Sequence, residues 1–391
     1  MKIFQVHNHY QFSGGEDTVF SNEYKLLTYY GHEVIQFTKS NKDIDNYNIF
    51  QKSRLFFNAV YSRLAFEEVL KIIEENKPDV CHIHNTLTLI TPSVYYACKK
   101  MGVPVVQTLH NYRLICANAY LFRNGKVCEE CIDKSLYNSV KYGCYRNSRL
   151  QTFVLARTVQ WNKKQGTWNN LIDAYIALTE FSKQKFIEGG LPENKIFVKP
   201  NFLFEDPNYS EKNEGFFLFA GRLDITKGFN VLVKAAEKLP NIKFKVAGDG
   251  ILRSNLDGVL NIEYLGQLNR NDLILELKKS GAIIFPSVWY ESMPMTIIES
   301  FACGKPVIAS NLGAMAELIE NGKTGLLFEP GNVDDLVKKI LWAKNNPEKM
   351  KEMGLNARKE FEEKYTAEKN YMILMNIYEN VIEKKIKILN N

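Results

Sequence analysis

Short apolar runs alternate along the chain with longer stretches in which apolar residues recur every three or four positions. That alternation of periods predicts strands joined by helices, and hence parallel sheets covered on their faces. A first series of strands reads at Lys2–Val6, Glu33–Phe37, Asp79–Ile83, Pro104–Leu109, Leu171–Thr179 and Lys195–Lys199. Helices at Thr18–Tyr30, Arg54–Asn76 and Glu180–Glu188 stand between them. Residues 200–213 are polar, carry Pro207 and read as a linker. A second series follows at Phe216–Ala220, Ile242–Ala247, Glu263–Leu265, Ala282–Phe285, Pro306–Ala309 and Gly325–Phe328. Helical patterns close the chain at 332–345 and 347–365, both read as solvated, and at 367–388. The expectation is α/β, with two Rossmann-like, doubly wound domains. Residues 1–200 form the first, with an insert at 114–148. A linker at 201–213, a second domain at 214–365 and a terminal helix at 366–391 complete it.

Within that frame one stretch concentrates chemistry. After the strand Ala282–Phe285, Pro286 ends the run and a loop carries Glu291 and Ser292. Pro294 suits the first turn of a helix, which runs to Cys303 and stops at Gly304. Glu299 lies inside that helix. Carboxylates suit sugar hydroxyls, and the N–H groups of a helix start suit phosphate. From spacing alone, an ordinary strand–helix–strand unit with a solvated Glu291 and a surface Glu299 is the favoured reading. Upstream, Gly221–Gly228 holds Arg222 and Lys227 just before a helix, a pairing suited to a diphosphate or to an exposed basic turn. Gly14 and Gly15 follow the first strand and free the backbone for close approach. His110 ends the strand Pro104–Leu109, where open α/β sheets place ligand-binding groups. His82 and His84 share one strand face and read as a polar strand end. Gly322-Lys323-Thr324 lacks the glycine a phosphate loop needs at position 317 and reads as a turn.

The Glu291-x7-Glu299 pair, with FAGRLDITKGFNVLVKA, VAGDG, YLG, NLGAMAELIENGKTGLLFEPGN and SGGED elsewhere, resembles the donor-site signature of retaining glycosyltransferases of family 4. The resemblance covers nearly the whole chain. It implies the GT-B fold, with a cleft between the domains and the last helix crossing back to the first. It also implies transfer of a sugar from a nucleotide-diphosphate sugar to an acceptor hydroxyl, with retention and without a catalytic metal. Arg222 and Lys227 would then stabilise the leaving diphosphate. Glu299 would hold the ribose. Glu291 and the backbone of Ser292, Met293, Pro294 and Met295 would hold sugar and phosphate. His110 would orient the sugar, Gly14 and Gly15 would approach the donor through backbone, and Gly221 and Gly266 would line the nucleotide. Only Asn201 matches the relatives' Asn-Gly-Val-Asp. A nucleotide-sugar epimerase and a non-catalytic nucleotide-sugar-binding partner are the rival readings. Donor base, donor sugar and acceptor are not legible.

Composition narrows this picture. The net charge of +6 and pI near 8.7 are too mild to argue for nucleic acid. No apolar run is long enough to span a bilayer. The opening MKIFQVHNHY reads as a strand rather than a signal peptide, so a cytoplasmic protein is expected, with contact to the inner face of a membrane as an option. Of the seven cysteines, Cys81, Cys98 and Cys303 read as core. Cys116, Cys128, Cys131 and Cys144 have the spacing of a structural zinc site, or are four separate thiols. From Lys134 to Lys164 there is no acid, and cations interleave with Tyr137, Tyr142, Tyr145, Phe153 and Trp161. Such a segment lies on an anionic bilayer, or turns its aromatics into the core. A lipid-linked saccharide acceptor fits the first option.

Overall fold

The computed structural model describes residues 1–11, 14–132 and 134–389. Its contacts divide the chain into two units. The first comprises residues 1–121, 128–200 and 370–391; the second, 122–127 and 201–369.

The first unit is built on β1 (Lys2–His9), α1 (Gly15–Tyr29), β2 (Glu33–Ser40), α2 (Ile49–Asn58), α3 (Arg63–Asn76), β3 (Val80–Asn85), α4 (Ser93–Met101) and β4 (Val105–Thr108). The insert carries a short hairpin, β5 (Phe122–Arg123) and β6 (Lys126–Val127), that groups with the second unit. Then come α5 (Asn138–Tyr142), α6 (Arg149–Lys164), α7 (Thr167–Asn170), β7 (Ala174–Ala177), α8 (Glu180–Glu188) and β8 (Ile196–Val198). The strands pair in parallel in the order β2-β1-β3-β4-β7-β8. The helix expected over 54–76 is two helices. Ala59 and Val60 are buried between them, and the Ser62 hydroxyl accepts from the Ala65 N–H to cap the second.

The second unit contains β9 (Phe216–Ala220), α9 (Phe229–Glu237), β10 (Lys243–Ala247), β11 (Ile262–Gly266), α10 (Arg270–Lys279), β12 (Ala282–Phe285) and α11 (Met295–Ala302). It continues with β13 (Val307–Ser310), α12 (Ala314–Leu318), β14 (Gly325–Phe328), α13 (Val333–Asn345) and α14 (Pro347–Lys364). Its parallel sheet runs β11-β10-β9-β12-β13-β14, so strand order reverses between β9 and β12. In the first unit the reversal lies between β1 and β3. Open α/β sheets bind ligands beyond the strand ends at such reversals.

Two expectations are corrected by burial. Helices α13 and α14 are not solvated cylinders: Leu336, Ile340, Ala343, Met350 and Met353 join the core under β9 and β10. The stretch read as a linker is packed only at its start, with Asn201, Phe202 and Leu203 buried and the Leu203 N–H donating to the Tyr365 carbonyl. The last helix, α15 (Ala367–Leu389), belongs to the first unit from residue 370 onward. There Leu374, Ile377 and Tyr378 pack with Ile3, Val80 and Val106. Beside them the buried Lys199 ammonium donates to Glu23 at 2.7 Å and to Asn370 at 3.1 Å.

Candidate functional site

In the second unit the loops after β9 and β12 are tied together. The Val288 N–H donates to the Thr226 carbonyl at 3.0 Å, and the Ser287 hydroxyl to the same carbonyl at 3.2 Å. Gly228 makes this closeness feasible. It adopts φ +66°, and a Cβ there would sit 1.8 Å from the Pro286 carbonyl oxygen. Lys227 donates to Glu291 Oε1 at 2.7 Å. The same oxygen accepts from Ser287 Oγ at 2.6 Å and Trp289 Nε1 at 2.9 Å. The Lys227 ammonium also lies 5.4 Å from the Phe285 ring centre and 5.6 Å from that of Trp289. Arg222 is exposed and pairs with Asp224 at 3.4 Å.

Helix α11 starts at Met295, not at Pro294, which is extended and stands just before it as the cap residue. No side chain caps this start, a condition under which an anion can take its orphan N–H groups. Glu299 is buried rather than at the surface, with Arg270 Nε 3.5 Å from Oε1. Burial raises its pKa more than Arg270 lowers it. Asn201 is buried and donates to the Met293 carbonyl at 3.2 Å, holding the strand-to-helix loop. Gly221 and Gly266 sit at the ends of β9 and β11, both bonded to the β10 end: Gly221 N–H to the Ala247 carbonyl, and Gly248 N–H to the Gly266 carbonyl. Arg222, Lys227, Glu291, Met295 and Glu299 therefore share the loops and helix that meet at the β9/β12 reversal.

The first unit holds what spacing did not reveal. Gly14 is the cap residue of α1, and its N–H donates to Asp17 Oδ2 at 2.9 Å. Ser13 of the SGGED run lies outside the described residues. Five of the six histidines gather along the ends of β1, β3 and β4. His110 is half-buried and its Nε2 lies 2.9 Å from His84 Nδ1, the rings stacked. His84 Nε2 is 3.2 Å from Glu23 Oε2, in ion-pair range but off the line of a hydrogen bond. His82 bonds to Tyr378 at 2.7 Å and Thr108 at 2.8 Å. The pair is thus a buried network, not a polar strand end. Burial, then the neighbouring His84, holds both His82 and His110 well below the usual imidazole range, so they are neutral at pH 7. Burial alone would raise the Glu23 carboxyl, but Lys199 and the histidines outweigh it and keep it ionised.

Two acids in sequence then part ways. Glu16 is raised to about 8 by burial and by Asp17, and its carboxyl meets Asn111 Nδ2 at 3.2 Å. Burial also acts to raise Asp17, but His7 at 2.9 Å, the Gly14 N–H and His9 at 2.8 Å hold it below the usual range. Among the described residues two trios bring metal-type ligand atoms within 4.8 Å of one another: His7, His9, Asp17 and Glu23, His82, His84. Both are built from histidine and carboxylate rather than from the cysteines. Cys116 is buried, and Cys128, Cys131 and Cys144 are half-buried. Burial and then Cys116, Cys144 and Cys128 push the Cys131 thiol up to about 12. Glu16, Glu23 and Lys199 were not singled out from sequence; only their place in the fold relates them.

Comparison with known proteins supplies the remaining observation. Residues 13–203 match the family described as Glycosyltransferase Family 4, and residues 203–360 match Glycosyl transferases group 1. An uncharacterised glycosyltransferase of Methanocaldococcus jannaschii is 32% identical over 224 residues, 56% of this chain and 62% of that protein. Sulfoquinovosyl transferase SQD2 of Arabidopsis thaliana is 22% identical over 317 residues, 78% of this chain and 58% of that protein. The chain thus spans about three-fifths of each relative's length. The crystal structure of Anabaena HepE in complex with UDP superposes with a TM-score of 0.67 at 17% identity, covering 98% of this chain and 99% of that one. Two parallel, strand-reversing sheets, two adjoining matches to glycosyltransferase families from residue 13 to residue 360 and the superposition on HepE give this chain the GT-B fold.

Proposed function

We propose that the chain transfers a sugar from a nucleotide-diphosphate sugar to a hydroxyl of a lipid-linked or cell-surface polysaccharide precursor, with retention and without a catalytic metal. The observation that carries this reading is the joining of the β9 and β12 loops at the strand reversal, with Lys227 against Glu291 and Arg222 exposed beside them. As the sugar–phosphate bond breaks, negative charge grows on the diphosphate. Arg222, Lys227 and the start of α11 stabilise that charge without rearranging. In the resting chain Glu291 holds the Lys227 ammonium in place; the incoming phosphate competes for it. Glu299 accepts from ribose hydroxyls in place of Arg270. His110, neutral and held by His84, orients a sugar hydroxyl. The UDP in the HepE crystals supports a nucleotide-bearing donor.

The test is steady-state transfer and donor binding in Arg222→Ala and Lys227→Ala. Each should lose about 100-fold in kcat, the scale of removing one charge-stabilising donor. Turnover near wild type in both would contradict the assignment. Conversion of the donor with no acceptor added would favour an epimerase.

For the insert we propose a structural zinc on Cys116, Cys128, Cys131 and Cys144, supported by their spacing and by the electrostatic influence of the other three thiols on Cys131. Metal analysis should find about one zinc per chain. A metal-free protein whose four thiols alkylate at once would remove this reading.

A further inference from the structure

Helix α2 is unusual in this fold because none of its residues is buried. Ile49 is 79% exposed, Phe50 77% and Phe57 68%. At 100° per residue these three, with Ser53 between them, lie within one third of the helix circumference. Arg54 and Lys52 flank that arc on its two sides. Solvent gives no reason for a helix to keep such a face, and isolated patches of this kind mark contact sites.

Helix α6 continues the surface. Thr152, Leu155, Ala156, Val159 and Asn162 turn inward, while Leu150 is 65% exposed and Phe153 and Trp161 are partly so. Leu150, Phe153, Arg157 and Trp161 fall on one side of the helix. The Arg157 guanidinium lies 5.9 Å from the Phe56 ring centre, so the two helices abut. The sequence expectation for the basic segment is thereby divided: its small and aliphatic residues enter the core, and its bulky ones stay out.

Charge identifies the occupant. No acid occurs from Asn46 to Phe66 or from Lys134 to Lys164. Cations exposed in these segments include Lys52, Arg54, Arg149, Lys163 and Lys164. Cations bordering an apolar arc match a surface with anionic headgroups over hydrocarbon. Nucleic acid would use the charge and leave Ile49, Phe50 and Phe57 without purpose. A second copy of the chain would set one basic face against another. Among the described residues no helix is long and apolar enough to cross a membrane, so the contact is with its surface.

We propose that the face made by α2 and α6 docks on an anionic lipid bilayer, with Ile49, Phe50, Phe57 and Leu150 entering the headgroup boundary and the flanking cations meeting lipid phosphates. The proposal specifies the surface through which a lipid-linked acceptor is reached. It uses no residue assigned to the donor, so the two readings can fail separately.

The test is co-sedimentation of the full chain with vesicles of phosphatidylcholine alone or with about one-third phosphatidylglycerol, at about 0.1 M and 0.5 M salt. Wild type should bind the anionic vesicles only, and about tenfold less tightly at the higher salt. Phe50→Ser/Phe57→Ser should lose about tenfold at the lower salt, and Lys52→Glu/Arg54→Glu at least as much. Both double variants should keep the wild-type melting temperature and its shift with nucleoside diphosphates. Failure to bind anionic vesicles at low salt would overturn the proposal. So would binding that Phe50→Ser/Phe57→Ser leaves intact, since the apolar arc would then be idle. Dimers in sedimentation equilibrium that the same variant dissolves would assign the face to a second copy instead.

Discussion

Glu16 and Asp17 are neighbours in sequence and opposites in charge state. Glu16, raised to about 8, is protonated at pH 7, while Asp17 stays ionised. The unfolded Glu16 releases its proton near the ordinary value of 4.5. Its contribution is therefore fully present below that pH and is lost as pH rises through about 8. A Glu16→Gln variant keeps the shape of the protonated acid but has nothing to release. Its melting temperature should fall less between pH 5 and pH 8 than that of wild type, by an amount on the order of a few kcal/mol in stability. Equal slopes in the two proteins would show that Glu16 ionises normally. None of this was legible in the sequence. A glycine pair ahead of two acids announces a loop, but only the fold buries one acid beside Asn111 and sets the other between two histidines. His110, by contrast, was legible, because a polar residue after an apolar run lands at a strand end whatever the details.

Elements were legible in proportion to how strongly local pattern determined them. Strands such as Phe216–Ala220 and Gly325–Phe328 fall where their apolar runs do, since a strand buried on both faces has no alternative pattern. The single helix expected over 54–76 failed because periodicity does not register a hydroxyl cap at Ser62. Helices α13 and α14 read as solvated because their many charges masked an apolar stripe that only packing reveals. Gly228 illustrates a legible residue with an illegible reason. Its place before a helix suggested a loop; its necessity comes from Pro286, which lies far along the chain. Gly228→Ala should destabilise the second unit by more than about 2 kcal/mol, from strain at positive φ plus the clash with a fixed carbonyl. Urea titration followed by Trp emission measures it. A change under about 0.5 kcal/mol would show that the two loops yield easily.

At the scale of the molecule, each unit has its own sheet and core, and the two differ in how the chain supplies them. The second draws its sheet and core from one continuous stretch, 201–369, while the first is assembled from separated segments that include the last helix. That helix is structural material of the first unit: Leu374 is fully buried against Ile3, Val80 and Val106. Leu374→Ala should cost about 3 kcal/mol, the range for a buried leucine, and should lower the hydrogen-exchange protection of β1 and β3. Unchanged protection there would mean that the helix adds little to that core. The two-domain plan was legible because two strand–helix series are separated by a polar stretch. That the first residues of that stretch are packed was not, since Phe202 and Leu203 are too few to register as an element.

The arrangement of that last helix sets an order of events during synthesis. As the chain leaves the ribosome, residues 201–369 bring the whole sheet and core of the second unit with them. The first-made half does not: the Lys199 ammonium has emerged, but Asn370, one of its buried partners, has not. Strands β1 and β3 must wait for the last helix, with the apolar surface it covers open in the meantime.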